Sequence, residues 1–228
     1  MKQFEMSKAG EYWKLFISGF NFRRHMGRIQ DLDSLKEFIV TRSAFIAQKT
    51  LYGYVKTRMG TKYPEMFQDQ NIIHSLNIAK MHAFDACLSD FCIWAIATAF
   101  SRMEMDDSGR AQIALSIFKH GIHENLEESV DEFNPDDAVR AFEDRLASVD
   151  WHGAAQTRDQ FTLSPTRVVK WAPISDDLKK YDIEYVENSV KFAWANIRRQ
   201  FEKRLDRDAL AQNMGGPAAG VVAEGTPG

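Results

Sequence analysis

Apolar residues return at helical spacing along most of the chain. Between positions 34 and 59, Phe38, Phe45, Tyr52 and Met59 recur every seven residues, and Ile39, Ile46 and Gly53 trace a parallel row. Spacing of this kind puts both rows on one face, so the segment predicts an amphipathic helix with a continuous buried stripe. Ser34, with Glu37 three residues later, predicts its start as a capping box, and Gly60 with Pro64 beyond it predicts its end. Upstream, Phe4, Trp13, Phe16, Ile17 and Phe20 predict a first helix from about Glu5 to His25, weakened by Gly10 and Gly19.

From about Gln70 to Met103 the pattern changes character. Ile73, Leu76, Phe84, Cys87, Leu88 and Phe91 form one side, and then the sequence becomes apolar nearly all round, which places this helix in the middle of the fold. The run FCIWAIATAFS, Phe91 to Ser101, is about half the roughly 20 residues that a membrane-spanning helix needs. A helix from Arg110 to about His120 follows, ended by Gly121, and the acidic stretch HENLEESVDEF is expected as a loop. Asn134, Pro135, Asp136 and Asp137 supply a capping side chain, a proline at the first helical position and acids at the positive end of the dipole. Trp151 to Pro173 loses the pattern, leaving a short helix or an extended segment open.

Ser175 then opens a long final helix, with Ile183, Val186, Val190, Trp194, Ile197, Phe201 and Leu205 at steps of three and four. This stripe is expected to pack on the helices at 34–59 and 70–103. NMGGPAAGVVAEGTPG, after Gln212, has too little apolar bulk for a core. The expected architecture is all-α: an irregular multi-helix bundle around a central apolar helix over residues 1–212, with a disordered tail at 213–228.

Composition changes this picture little. With 228 residues, 44% apolar, the chain can bury a real core without staples. Cys87 and Cys92 are the sole cysteines, and five positions apart on a helix they point away from each other, which excludes a disulfide framework and favours a reducing compartment. Charges are spread through the first fourteen residues where a signal peptide needs an apolar core, so a cytoplasmic location is expected. Charge placement is uneven. Residues 1–65 carry 12 Lys/Arg against 6 Asp/Glu, and residues 66–160 carry 7 against 17.

Candidate chemistry is sparse. His74 and Asp85 share a helix face but stand roughly 16 Å apart along the axis, too far for joint ligation. His120, His123 and Glu124 form an HxxHE spacing at a helix end, and the ExxH elements of di-iron bundles do not occur, so no metal is expected. No cofactor is expected either, because phosphate loops, dinucleotide fingerprints and nucleophile elbows are all missing. His82, Asp85 and Ser89, at i, i+3 and i+7, are the most plausible catalytic groups if the chain is a hydrolase. The segment from Trp13 to Arg28 gathers Trp13, Phe20, Phe22, Arg23, Arg24 and Arg28 into a basic, aromatic cluster, a candidate dock for an acidic protein. Such a cluster also approximates a peripheral membrane surface, less cleanly because Glu5 and Glu11 share its polar side. Nucleic-acid binding is not expected at a pI near 6.1 without a reader motif, and homo-oligomer formation is open.

The run YWKLFISGFNFRRHMGRIQDLDSLKEFIVTRSAFIAQKTLYGYVKTRMG, residues 12–60, resembles the opening of a family of uncharacterised alphaproteobacterial all-helical proteins to which an esterase label is sometimes attached. The resemblance implies a helical fold and, through the label, ester hydrolysis, with no residue to carry over. The residues themselves leave two readings: a non-catalytic interaction or scaffold protein that docks an acidic partner through its basic aromatic segment, or an esterase-like hydrolase.

Overall fold

The structure, a computed structural model, describes residues 27–62, 65, 69–126, 132–157 and 160–215. Trp13, Phe20, Phe22, Arg23 and Arg24 lie outside the described residues, as do the expected first helix and residues 216–228. Helix α1, Leu32–Met59, starts one turn earlier than its Ser34 signal, because Asp31 is the cap. The Ser34 amide donates to Asp31 Oδ1 at 2.7 Å and the Asp31 amide donates to Ser34 Oγ at 3.2 Å, a reciprocal box built from an acid and a hydroxyl in the reverse order from that expected. These hydrogen bonds hold the Asp31 carboxyl below its usual pKa. Gly60, the one positive-φ glycine among the described residues, ends the helix.

Helix α2, Gln70–Ala99, is the expected central element, buried almost without a break from Leu88 to Ala99. Helices α3 (Asp107–Asn125), α4 (Pro135–Leu146), α5 (Trp151–Gln156) and α6 (Leu163–Trp171) pack around it together with α1. Asn134 caps α4 as its sequence predicts, accepting from the amides of Asp136 at 2.9 Å and Asp137 at 3.2 Å. The stretch without clear periodicity after Trp151 is thus two short helices.

Gly121 does not end its helix. It lies buried inside α3, and a Cβ there would meet Leu88 Cδ2 at 2.7 Å and Val40 Cγ2 at 3.1 Å. The glycine is required by close approach of three helices and not by a turn. Continuation through Gly121 sets His120 against Glu124 at 3.2 Å, one turn apart, as a surface pair.

The expected single C-terminal helix is three: α7 (Asp176–Lys179), α8 (Ile183–Arg204) and α9 (Arg207–Gly215). The break at Leu205 has a backbone cause. The Leu205 amide still donates to Phe201 O, but the Ile29 amide donates to Arg204 O and the Asp206 amide donates to Ile29 O, all at 2.9 Å, and this short parallel bridge takes the Arg204 carbonyl and the Asp206 amide out of helical pairing. Asp206 then accepts from the Ala209 amide at 3.2 Å as α9 begins. Helix α9 carries the fold three residues past Gln212, with Met214 packed against the core.

Val186, Val190, Trp194, Ile197 and Phe201 of α8 are buried as their spacing predicts. They lie on α1 and α6, and reach α2 through rings: Trp194 and Phe201 stand 5.1 and 5.9 Å from Phe91, and Phe201 stands 5.3 Å from Trp94. Ile183, at the open end of the stripe, stays largely exposed.

Two glycines inside helices make opposite predictions for one substitution. At Gly53, exposed on α1, a Cβ would meet nothing within 4 Å, so Gly53→Ala should stabilise the fold by about 0.5–1 kcal/mol through helix propensity. Gly121→Ala should destabilise it by about 1–3 kcal/mol, since the Leu88 side chain is itself fully buried. Denaturant melts of the two variants check the pair; equal shifts of the same sign would contradict the packing described.

Candidate functional site

Ser89 and Asp90 of the central helix face α4 and α6, and the Asp90 carboxylate organises the contact. Asp90 has no exposed surface. Its Oδ1 accepts from Arg145 Nη1 at 2.8 Å and the Leu163 amide at 3.3 Å, and its Oδ2 accepts from the Ser164 amide at 2.8 Å and Ser164 Oγ at 2.7 Å. The Ser164 hydroxyl in turn accepts from Trp194 Nε1 at 2.9 Å. Thr162, the N-cap residue of α6, makes no side-chain cap of its own. Asp90 therefore caps α6 from another helix, where the exposed amides and dipole favour a negative charge.

Burial raises the Asp90 pKa, and Arg145 and the Ser164 donors oppose that rise. Four donors on two oxygens are the complement of an ionised carboxylate, which accepts only. Arg145 also donates to Ser89 Oγ at 2.8 Å and to Gln160 O at 2.8 Å, so its guanidinium closes the cluster on the outer side.

Of the three groups singled out from sequence, Ser89 belongs to this cluster. Its side chain is buried and its hydroxyl is engaged by Arg145. His82 and Asp85 lie toward the other end of α6. The His82 ring stacks on Trp171, centroids 3.5 Å apart and planes 8° apart, with Phe133 edge-on at 5.3 Å. Its Nε2 is buried with no hydrogen-bond partner. Burial lowers its pKa to about 4, helped by the Arg167 and Lys170 charges and opposed by a hydrogen bond with the Glu132 backbone. Asp85 keeps part of its surface exposed, yet enough protein surrounds the carboxyl that burial raises its pKa to about 7, with Asp90 adding to the rise and Arg167 and Arg145 opposing it. The helical spacing that aligned His82, Asp85 and Ser89 thus delivers them to different neighbours.

Cys87 and Cys92 are buried free thiols, and burial pushes both pKa values up, which removes them as nucleophiles at neutral pH. Among the described residues no group of three or more His, Cys, Asp or Glu converges as a metal site, and none of the described helices is long and apolar enough to cross a membrane. Arg28, the described member of the basic aromatic cluster, is exposed and pairs with Asp206 at 3.0 Å.

The surface of α8 carries what the sequence pattern did not single out. Tyr185 and Phe192 are 69% and 77% exposed, and Tyr181, just ahead of the helix, is 76% exposed. With Ser189 between them, Tyr185 and Phe192 follow one helical stripe. Phe192 lines two grooves. One, about 240 Å³, runs between α1 and α8 over Lys49, Thr50, Gly53, Thr57 and Ser189; the other, about 620 Å³, is lined by Phe161, Thr162, Lys191, Trp194, Ala195 and Arg198. Comparison of the chain with protein families, curated proteins and solved structures gives no match.

Removing one partner of the buried pair leaves the other charge uncompensated, so Asp90→Ala should cost about 3–5 kcal/mol. The double variant Asp90→Leu, Arg145→Met should recover part of that loss. Urea melts read both, and a double variant less stable than Asp90→Ala would count against the pairing.

The two shifted groups also act on stability in opposite directions. Asp85, raised, contributes stability that is full below its ordinary pKa of 3.8 and is lost as pH rises toward 7. His82, lowered, contributes stability present above 6.5 and lost as pH falls toward 4. Between about pH 4 and 6.5 the two therefore offset each other. Asp85→Asn should expose the His82 slope, with stability rising over that window, and His82→Phe should expose the opposite slope. Identical pH profiles for the two variants would refute the assignment.

Proposed function

We propose that this chain is a non-catalytic helical interaction protein of the cytoplasm that docks an acidic protein partner. The carrying observation is the contrast between its polar interior and its aromatic surface. The cluster of Asp90, Arg145, Ser89, Ser164 and Trp194 is committed to joining helices, while Tyr181, Tyr185 and Phe192 lie open to solvent. Large exposed aromatics on one stripe, as Tyr185 and Phe192 are, favour recognition, because they carry much contact area at little entropic cost. The excess of Lys and Arg in residues 1–65 supports an acidic partner, and the basic aromatic segment of Trp13, Phe20, Phe22, Arg23, Arg24 and Arg28 is the first candidate surface. Arg28 remains available to it, since an exposed ion pair such as that with Asp206 holds weakly.

The esterase-like alternative draws on His82, Asp85 and Ser89. Hydrolysis at Ser89 needs its hydroxyl to meet both a base and a substrate, and here the hydroxyl is buried and engaged by Arg145, whereas His82 lies under Trp171.

Two measurements test the reading. Changing Arg23, Arg24 and Arg28 together to Glu should deplete the acidic proteins recovered with the tagged chain, and recovery of the same set would remove the N-terminal docking surface. Purified protein should show no turnover of short-chain acyl esters; turnover lost in both His82→Ala and Ser89→Ala would establish the hydrolase instead.

A further inference from the structure

The two grooves beside Phe192 share a chemical character. Their charged lining residues are Lys49 in the first and Lys191 and Arg198 in the second, and neither is lined by a carboxylate. Arg198 is held over Phe161 and Trp94, its guanidinium carbon 5.5 and 5.9 Å from the two ring centroids. Lys191 makes only a loose contact with Glu187, at 3.8 Å. The floor is built from small residues, Gly53 and Ala193 in the first groove and Ala195 in the second.

Gly53 is the informative one. Glycine in the middle of a 28-residue helix costs about 0.5–1 kcal/mol relative to alanine, and nothing within 4 Å of its Cβ position requires it. Its effect is to leave the groove deeper than any other residue would, which admits close approach of another chain.

We propose that this face binds an amphipathic α-helix of a partner protein, its apolar side seated against Tyr185 and Phe192 and its flanks carrying Asp and Glu. The assignment rests on the interaction reading above and gives it a surface within the described fold. Tyr185 and Phe192 stand about 10 Å apart along α8, and Arg198, on the flank turned toward Phe161, lies about 20 Å from Tyr185 along the axis, a length that a partner helix of about 13 residues would span. Charge decides between occupants. A second copy meeting this one through the same face sets Lys49, Lys191 and Arg198 against their own kind, whereas acidic flanks complement them.

The probe is a fluorescein-labelled peptide of about 14 residues with Leu at helical i, i+3, i+4 and i+7 positions and Glu on its flanks, read by anisotropy against the same peptide with Gln for Glu. The full chain should bind the Glu peptide and lose at least about tenfold in affinity for the Gln peptide. Phe192→Ser, Gly53→Leu, and the double change of Lys49 and Lys191 to Glu should each weaken binding by at least about tenfold. Their circular-dichroism melts should stay close to the native one, because these positions face solvent or open grooves. Equal affinity for both peptides, or binding indifferent to all three variants, overturns the proposal. So does a native dimer that Phe192→Ser converts to monomer in sedimentation, or co-sedimentation with anionic phospholipid vesicles in the absence of peptide binding. The same variants in the recovery experiment separate this proposal from the broader reading. Partners lost with the Arg23, Arg24 and Arg28 changes but kept by Phe192→Ser and Gly53→Leu would remove the groove and leave the interaction protein standing.

Discussion

A fully buried carboxylate is tolerated only where enough donors replace the water it has lost, and at Asp90 those donors fix the relative placement of four helices. Helix α4 supplies Arg145, α6 supplies the Leu163 and Ser164 amides with the Ser164 hydroxyl, and α8 joins through Trp194 to that same hydroxyl. Apolar burial is non-directional and, apart from the interlocking of side chains, is indifferent to small sliding of one helix along another. Hydrogen bonds to a single buried atom pair are not. The short helix α6, with its own cap side chain unused, depends on this contact for its start as well as its position.

The rings around the cluster continue the same logic. Phe91 follows Asp90 directly and meets Phe38, Trp194 and Phe201, so the residue after the polar anchor begins the apolar one. Arg145 closes the outer side by bonding Gln160 O. A polar centre satisfied on every side and wrapped in aromatic rings is a structural device, and it accounts for why the serine on the central helix is occupied.

Most of the fold was legible because it is written in periodicity. The all-helical bundle, the central apolar helix, the Asn134 cap and the buried side of α8 follow from spacing and capping chemistry. What escaped depends on distant residues. Gly121 reads as a helix end until Leu88 and Val40 are known to press against it. Leu205 reads as a continuing helix until Ile29 pairs beside it. Within the site, His82, Asp85 and Ser89 were grouped by helical spacing, which sets direction but not neighbours. Asp90 was missed although it stands immediately before the longest uncharged apolar run, and an acid so placed needs a cation from elsewhere. The exposed ridge of Tyr185 and Phe192 lies off the core-facing spacing of α8, which predicts only the buried side of that helix.

The pairing of Ile29 with Leu205 has a consequence for synthesis. Arg28 and Asp206, which flank the bridge, are 178 positions apart in sequence, and Phe38 of α1 meets Phe201 of α8 in the core. At about 5–20 residues per second, ribosomes need on the order of ten to forty seconds between making the two sides of this contact. During that interval α1 and the apolar length of α2 are present without the helix that completes their cover. The nascent chain therefore passes through a stage with its greasiest surface uncovered, and this is when a holding chaperone has most to offer it.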